Sequence, residues 1–276
     1  MHKSYKIFSL PYFIWLILLA FLPIVIMFVL IFTDGEGLNF NEITFGVSAF
    51  SLFDGYTLIA LLNSVLYAVI ATALCIVLGY IVSYTLYISK IKNKRIILIF
   101  FILPMWSNLL LRIQAFGRLL EPNNIITSML SNIGIHMSIN ANGTWFSVVL
   151  GMVVTYLPFM ILPIYNSLEK IDKSYNEASL DLGLTEAKTF WKVTVPLSLK
   201  GIISGSIMVL LPSLSGFAIP KILGKGTIPL IGTIIEQSFM NMSYNFGSLL
   251  SIFLLIIIFA GLFFVFKSDK EGESLL

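Results

Sequence analysis

Two short stretches set polar and charged side chains inside otherwise apolar sequence, and their chemistry suits holding a charged solute. The first is Leu103-Pro104-Met105-Trp106-Ser107-Asn108-Leu109-Leu110-Leu111-Arg112-Ile113-Gln114. Asn108 and Arg112 are four residues apart and share a helix face, with Trp106 and Gln114 beside them. Such a face either walls a translocation path or forms an interhelical hydrogen-bond cluster from which Arg112 snorkels to the outer interface. The second runs from Ile231 through Glu236 and Gln237 to Phe239, then Tyr244-Asn245-Phe246-Gly247. Glu236, with Tyr244 and Phe246 nearby, would attract an amine cation by charge and by ring faces. The alternative is an ion pair between Glu236 and Lys221 or Lys225.

The rest of the chain offers no reactive constellation. There is no phosphate loop ending in Gly-Lys-Ser/Thr, and Gly224-Lys225-Gly226-Thr227 lacks the earlier glycine at the required spacing, so it reads as a turn. No Ser/His/Asp arrangement or His-Glu-x-x-His is present. His2 and His136 have no ligand-spaced neighbours, and Cys75, the single cysteine, lies in an apolar run as a small buried hydrophobe. No catalytic residue, metal or bound cofactor is expected of this chain. A net charge of +3, placed as it is, does not suggest nucleic acid either.

A third stretch, Ser174 to Pro196, reads as two short helices around a glycine. Ser174 and Glu177 have capping-box spacing. Tyr175, Ala178 and Leu182 then fall on one helical face, as do Leu184, Ala187 and Trp191 beyond the turn. Gly183 suits the left-handed residue that ends a helix, Thr185 suits the cap of the next, and Pro196 stops or kinks the chain beyond it. The product is an amphipathic hairpin with a face for a partner.

The elements that must position these residues are membrane spans. The 276 residues are 58% hydrophobic and 11% charged, with mean hydropathy +0.95, whereas a soluble domain is about 25% charged. A bilayer crossing needs about 20 apolar residues. Stretches near 11–32, 57–88, 96–118, 145–167, 201–223 and 247–266 meet that length, which predicts an all-α integral membrane protein of six transmembrane helices. The first run is too long for a signal peptide and no small-residue cleavage site comes after it, so it reads as a retained anchor. The second exceeds a bilayer's thickness and should tilt or project. Pro104, Pro158, Pro212 and Pro220 interrupt others, as membranes allow where neighbours satisfy the freed backbone. Lys3, Lys6, Lys90, Lys92, Lys94, Arg95, Lys170, Lys173, Lys188, Lys192, Lys200, Lys267 and Lys270 fall on one side. Arg112, Arg118, Lys221 and Lys225 fall on the other. The heavier side is cytoplasmic, which puts both termini and the hairpin inside. The first external loop agrees, with Asp34, Glu36, Glu42 and Asp54 and no basic residue.

At Glu177, Ala178 and Ser179, followed after three residues by Gly183 and after nine more (184–192) by Val193-Thr194-Val195-Pro196, the chain resembles a known family. These are the membrane subunits of ATP-binding-cassette importers, whose cytoplasmic loop carries Glu-Ala-Ala, three residues, Gly, nine residues, then Ile-x-Leu-Pro. Leu-Pro-x-Trp before an arginine, and Ile-Gly-x-Ile-Ile-x-Gln-x-Phe leading to Asn-Phe-Gly, resemble its spermidine/putrescine branch. The alternatives are the same importer for a metal ion, an oxyanion (which Arg112 and Arg118 would suit) or an amino acid, and a membrane scaffold that uses the hairpin only for docking. The resemblance implies a type I importer permease fold in the bacterial inner membrane. Residues 1–56 would hold the first helix and external loop, and 57–266 a five-helix core with the coupling hairpin at 168–200. Residues 267–276 would be a cytoplasmic tail. It further implies that Glu177, Ala178, Ser179, Gly183 and Pro196 couple to an ATPase dimer that carries ATP and Mg. Trp106, Asn108, Arg112, Glu236, Gln237 and Tyr244 would line the substrate path. The other partners implied are a second homologous permease, an external polyamine-binding protein and the lipid bilayer.

Overall fold

The computed structural model describes residues 2–34, 44–122, 124–133 and 140–268. Glu36, Glu42, His136 and Lys270 lie outside the described residues, as do the side chains of His2, Lys3, Lys6 and Lys267.

The first helix is α1 (His2–Ile31), whose described side chains, from Pro11 on, are apolar on every side and mostly exposed. A helix of that kind, leaning mainly on one other helix, is built to face lipid. A small antiparallel ribbon of β1 (Thr33–Asp34) and β2 (Thr44–Phe45) comes next, a departure from the all-α expectation. After the single turn α2 (Ser48–Ser51) comes α3 (Gly55–Ile88). The Asp54 carboxylate caps α3 by accepting from the Thr57 amide at 2.8 Å. At 34 residues α3 is the longest described helix, roughly 50 Å at 1.5 Å per residue, beyond the bilayer's hydrocarbon thickness of about 30 Å.

Next come α4 (Lys94–Ile102), a 3-10 turn at Leu103–Trp106, α5 (Leu109–Leu119) and α6 (Ile125–Asn132). The central α7 (Trp145–Glu169) is followed by α8 (Lys173–Asp181) and α9 (Glu186–Thr189). A wide π-helical turn, Phe190–Thr194, leads into α10 (Val195–Leu197) and α11 (Leu199–Ser215). The chain then forms α12 (Ala218–Leu223), α13 (Ile231–Met240) and α14 (Tyr244–Ser268).

The core is the trio α3, α7 and α11, and small residues set its spacing. The buried face of α3 carries Ala60, Ser64, Ala68, Ala71, Cys75 and Gly79. Met160 of α7 is fully buried between Gly79 of α3 and Gly205 of α11. A Cβ at Gly205 would lie 2.6 Å from the Met160 Sδ, and one at Gly201 would lie 2.5 Å from the Pro163 carbonyl oxygen. In lipid, where burial of apolar surface does not draw helices together, this close packing is what holds them.

Among the described residues, four helical stretches are long and apolar enough to cross a membrane: Pro11–Ile31, Gly55–Ile88, Trp145–Glu169 and Tyr244–Phe263. The expected third and fifth spans are not single helices. Lys94–Trp106 and Leu109–Leu119 meet at 96°. Pro104 tightens the chain there, Ser107 is extended, and Asn108 starts a new helix. The expected 201–223 helix stops at Ser215, because Gly216 is extended and α12 begins afresh. On its other side α11 is bent by 61° from Glu186–Leu197. If each bent pair is one span, the count rises to six.

Candidate functional site

The segment between α7 and α11 is built by local backbone chemistry. Asp172, not Ser174, caps α8: its carboxylate accepts from the Ser174 amide at 2.9 Å. The capping box expected at Ser174 and Glu177 is therefore displaced, because the aspartate two residues earlier already takes the exposed amide. That bond holds the Asp172 carboxyl below its ordinary value. Gly183 has φ +83, and the two bonds that close the helix are both present. The Leu184 amide donates to the Ser179 carbonyl at 3.1 Å and the Gly183 amide to the Leu180 carbonyl at 2.9 Å. Thr185 caps α9, its hydroxyl accepting from the Lys188 amide at 3.4 Å. Pro196 lies in the short α10, just before the bend into α11.

The two arms are joined by polar side chains and turn their apolar side chains outward. The Ser179 and Thr189 hydroxyls are 2.8 Å apart, Ser179 also donates to the Asn176 carbonyl at 2.7 Å, and Thr194 donates to the Asn176 Oδ1 at 3.3 Å. Ser179, Thr189 and Thr194 are all buried. Leu182 is 84% exposed, Trp191 69% and Tyr175 57%, and Glu177 and Ala178 are exposed as well. The serine in the second-alanine position of the motif thus adds a bond across the hairpin.

The hairpin's seat on the membrane helices is invisible in the motif. Phe190 packs edge-on against Tyr84 and Tyr80 of α3, with ring centroids 4.7 and 5.6 Å apart. The Tyr80 hydroxyl lies 2.9 Å from the Ser198 hydroxyl at the start of α11. The spacing of Tyr80, Tyr84 and Tyr87, one face of α3, is the signal that would have exposed it.

The six proposed path residues fall into two groups. At the break between α4 and α5, Trp106 is 87% exposed. Asn108 accepts from the Leu110 amide at 2.9 Å, so it is the cap of α5. Arg112 reaches back to the Pro104 carbonyl at 2.5 Å, an acceptor it shares with the Ser107 hydroxyl and amide, while its Nε is buried without a partner. Around α13, Glu236 is paired with Lys221 at 2.6 Å, the alternative the sequence leaves open. Its carboxylate borders a cavity of about 710 Å³ lined largely by apolar groups, among them Met27, Phe217, Phe239 and Phe259. Gln237 is exposed, and Tyr244 packs on Phe239 with centroids 6.0 Å apart. No described hydrogen bond, ion pair or ring contact joins the two groups. Gly224–Thr227 is a turn, the Thr227 amide donating to the Gly224 carbonyl at 2.9 Å. Among the described residues no cluster of His, Cys, Asp or Glu could hold a metal ion.

Residues 92–268 match the family model described as "Binding-protein-dependent transport system inner membrane component". The chain is similar to the spermidine/putrescine transport system permease protein PotB of Haemophilus influenzae, 32% identical over 274 residues, covering 98% of this chain and 95% of that one. PotB of Escherichia coli K12 is 34% identical over 248 residues, covering 88% and 90%. Among solved structures, a chain of a bacterial alginate ABC transporter, in complex with an alginate-bound periplasmic protein, superposes with TM-score 0.78 at 15% identity. The match covers 99% of this chain and 96% of that one, a likeness of fold.

Proposed function

The chain belongs to the family of binding-protein-dependent transport system inner membrane components, and from that premise we propose that it is the permease subunit of an ATP-driven polyamine importer in the bacterial inner membrane. It pairs with a second permease to enclose the path and receives substrate from an external polyamine-binding protein. It takes its energy from an ATPase dimer docked on the 168–200 hairpin. Both termini and the hairpin are cytoplasmic, and the broken α4–α5 pair together with α11 completes six spans.

The observation that carries the coupling role is the hairpin's inverted burial. Polar Ser179, Thr189 and Thr194 are inside while Tyr175, Leu182 and Trp191 face solvent. A loop that satisfies its polar groups internally and exposes large apolar ones has a surface suited to a protein partner. For the substrate, the support is similarity along nearly the whole chain to two relatives named for spermidine and putrescine transport. Glu236 with the neighbouring aromatic rings offers a weak cation site, as a path that must also release its cargo requires. Lys221 pairs with that carboxylate at 2.6 Å, so an amine of the cargo would compete with it.

The test is uptake of labelled spermidine and putrescine in cells with and without this chain, the other transporter subunits being present. Unlabelled sulfate, iron and amino acids serve as competitors. Uptake should depend on the chain and resist those competitors. Glu177→Lys should abolish it with membrane insertion intact, and Glu236→Gln should weaken it with the ATPase still bound. Polyamine uptake unaffected by loss of the chain would overturn the substrate assignment, and full uptake by Glu177→Lys would overturn the coupling role.

A further inference from the structure

The elbow between α3 and α4 breaks a rule of helix electrostatics. A helix N-terminus carries partial positive charge and favours acidic residues in its first turn. α4 instead opens with Lys94 and Arg95, has no acid in that turn, and receives no side-chain hydrogen bond from Asn93 at its cap position. Lys90 and Lys92 precede it, and Lys173 of α8 faces the same groove, a recess of about 1170 Å³. The Lys94 ammonium donates to the Tyr87 carbonyl at 2.5 Å, not to a carboxylate. Among the described residues none of these five cations is in an ion pair. The acids that border the groove are Glu169 and Glu177, so the balance stays positive.

Five cations against two carboxylates, beside a helix N-terminus with no side-chain cap, leave a net positive field that favours an added anion. The neighbouring surface says which kind. Ile88, Ile91 and Ile96 are 59%, 48% and 49% exposed, flanking the groove where two apolar helices end. Tyr87 and Tyr165 line the groove as well, the amphipathic residues typical of a membrane interface. Charge and grease side by side match a lipid, whereas a soluble phosphate would use only the charge.

We propose that the α3–α4 elbow is a seat for an anionic phospholipid. Its phosphate is held by Lys90, Lys92, Arg95 and the N-terminus of α4, and its acyl chains lie against Ile88, Ile91 and Ile96. The seat anchors the bend that leads into the broken third span. It rests on the membrane location of these helix ends and not on what the importer carries.

The experiment is native mass spectrometry of the complete transporter, purified with a mixture of phosphatidylcholine and phosphatidylglycerol, counting retained phosphatidylglycerol. The triple variant Lys90→Gln/Lys92→Gln/Arg95→Gln should bind it about 100-fold more weakly, at the usual worth of each interfacial cation. The charge-keeping variant Lys90→Arg/Lys92→Arg should retain it, which separates lost charge from lost folding. Equal retention in wild type and triple variant overturns the proposal. So does loss of the ATPase subunits from the triple variant with lipid retention unchanged, which gives the groove to the partner protein. Displacement of the lipid by millimolar inorganic phosphate also overturns it, in favour of a soluble anion.

Discussion

Replacing Gly183 by alanine isolates one cause of the hairpin's shape. The residue sits at φ +83, and a Cβ built there meets no heavy atom within 4 Å. No clash enters, so the whole cost is the backbone's, about 1–2 kcal/mol for a side chain in the left-handed region. That is a shift of about five- to thirtyfold between closed and open hairpin. The bonds that open are two, from the Leu184 amide to the Ser179 carbonyl and from the Gly183 amide to the Leu180 carbonyl. Amide hydrogen exchange of these residues in the complete transporter reads the opening directly, and ATP-driven uptake reads its consequence. Exchange should quicken by about that factor in Gly183→Ala, and by less in Gly183→Asn, since asparagine tolerates the left-handed region. Unchanged exchange in the alanine variant would refute the reasoning. So would an asparagine variant as impaired as alanine, since backbone preference would then not be the cause.

Packing and charge give two further outcomes. Gly201→Ala drives a Cβ to within 2.6 Å of both the Pro163 carbonyl and the Ser167 side chain. It should destabilise the α7–α11 pair by about 1–3 kcal/mol, seen as a lower unfolding midpoint in detergent; an unchanged midpoint would show that the helices part without cost. The Asp172 cap titrates with a lowered folded-state value against the usual 3.8. Its contribution is therefore present above the unfolded value and lost as pH falls through the lower folded one. Exchange at the start of α8, corrected for intrinsic rates, should rise with acidification in that window, whereas in Asp172→Asn it should not. Equal pH dependence in both would detach the cap from the carboxylate.

The features legible in the sequence are those that depend on near neighbours. Gly183, Thr185 and the turn at Gly224–Thr227 behave as their residue types require, because a cap or a left-handed turn is decided within a few residues. Ser174 misleads because Asp172 competes for the same amides, and spacing to Glu177 cannot show which oxygen arrives. The third span misleads for another reason. Hydropathy averages over a window, and Ser107 and Asn108 are too few to lower it, yet they suffice to turn the chain by 96°. Asn108 and Arg112 share one helix turn as their spacing requires, but their bonds go to the broken backbone itself. Glu236 stands between two readings in the sequence because its partner, Lys221, is a turn and a helix away. The hairpin's inside is the least legible part. Its apolar spacing reads as a stripe, and nothing local reveals that Ser179 and Thr189, ten residues apart, bond across the interior.

That interior also bears on how a push on the hairpin would travel. Docking a partner on Tyr175, Leu182 and Trp191 covers apolar surface without touching the Ser179–Thr189–Asn176 bonds, so the two arms keep their relation while the outside is loaded. The loaded body is fixed to the membrane helices in two ways. Phe190 packs edge-on against the Tyr80 and Tyr84 rings of α3, and Ser198, bonded to the Tyr80 hydroxyl, is the cap residue of α11 at the 61° bend. A displacement of the hairpin would therefore act on α7, whose end it continues, and on α3 and α11, whose glycines pack on Met160 of α7. Cores packed that tightly do not deform gradually; they shift between discrete arrangements.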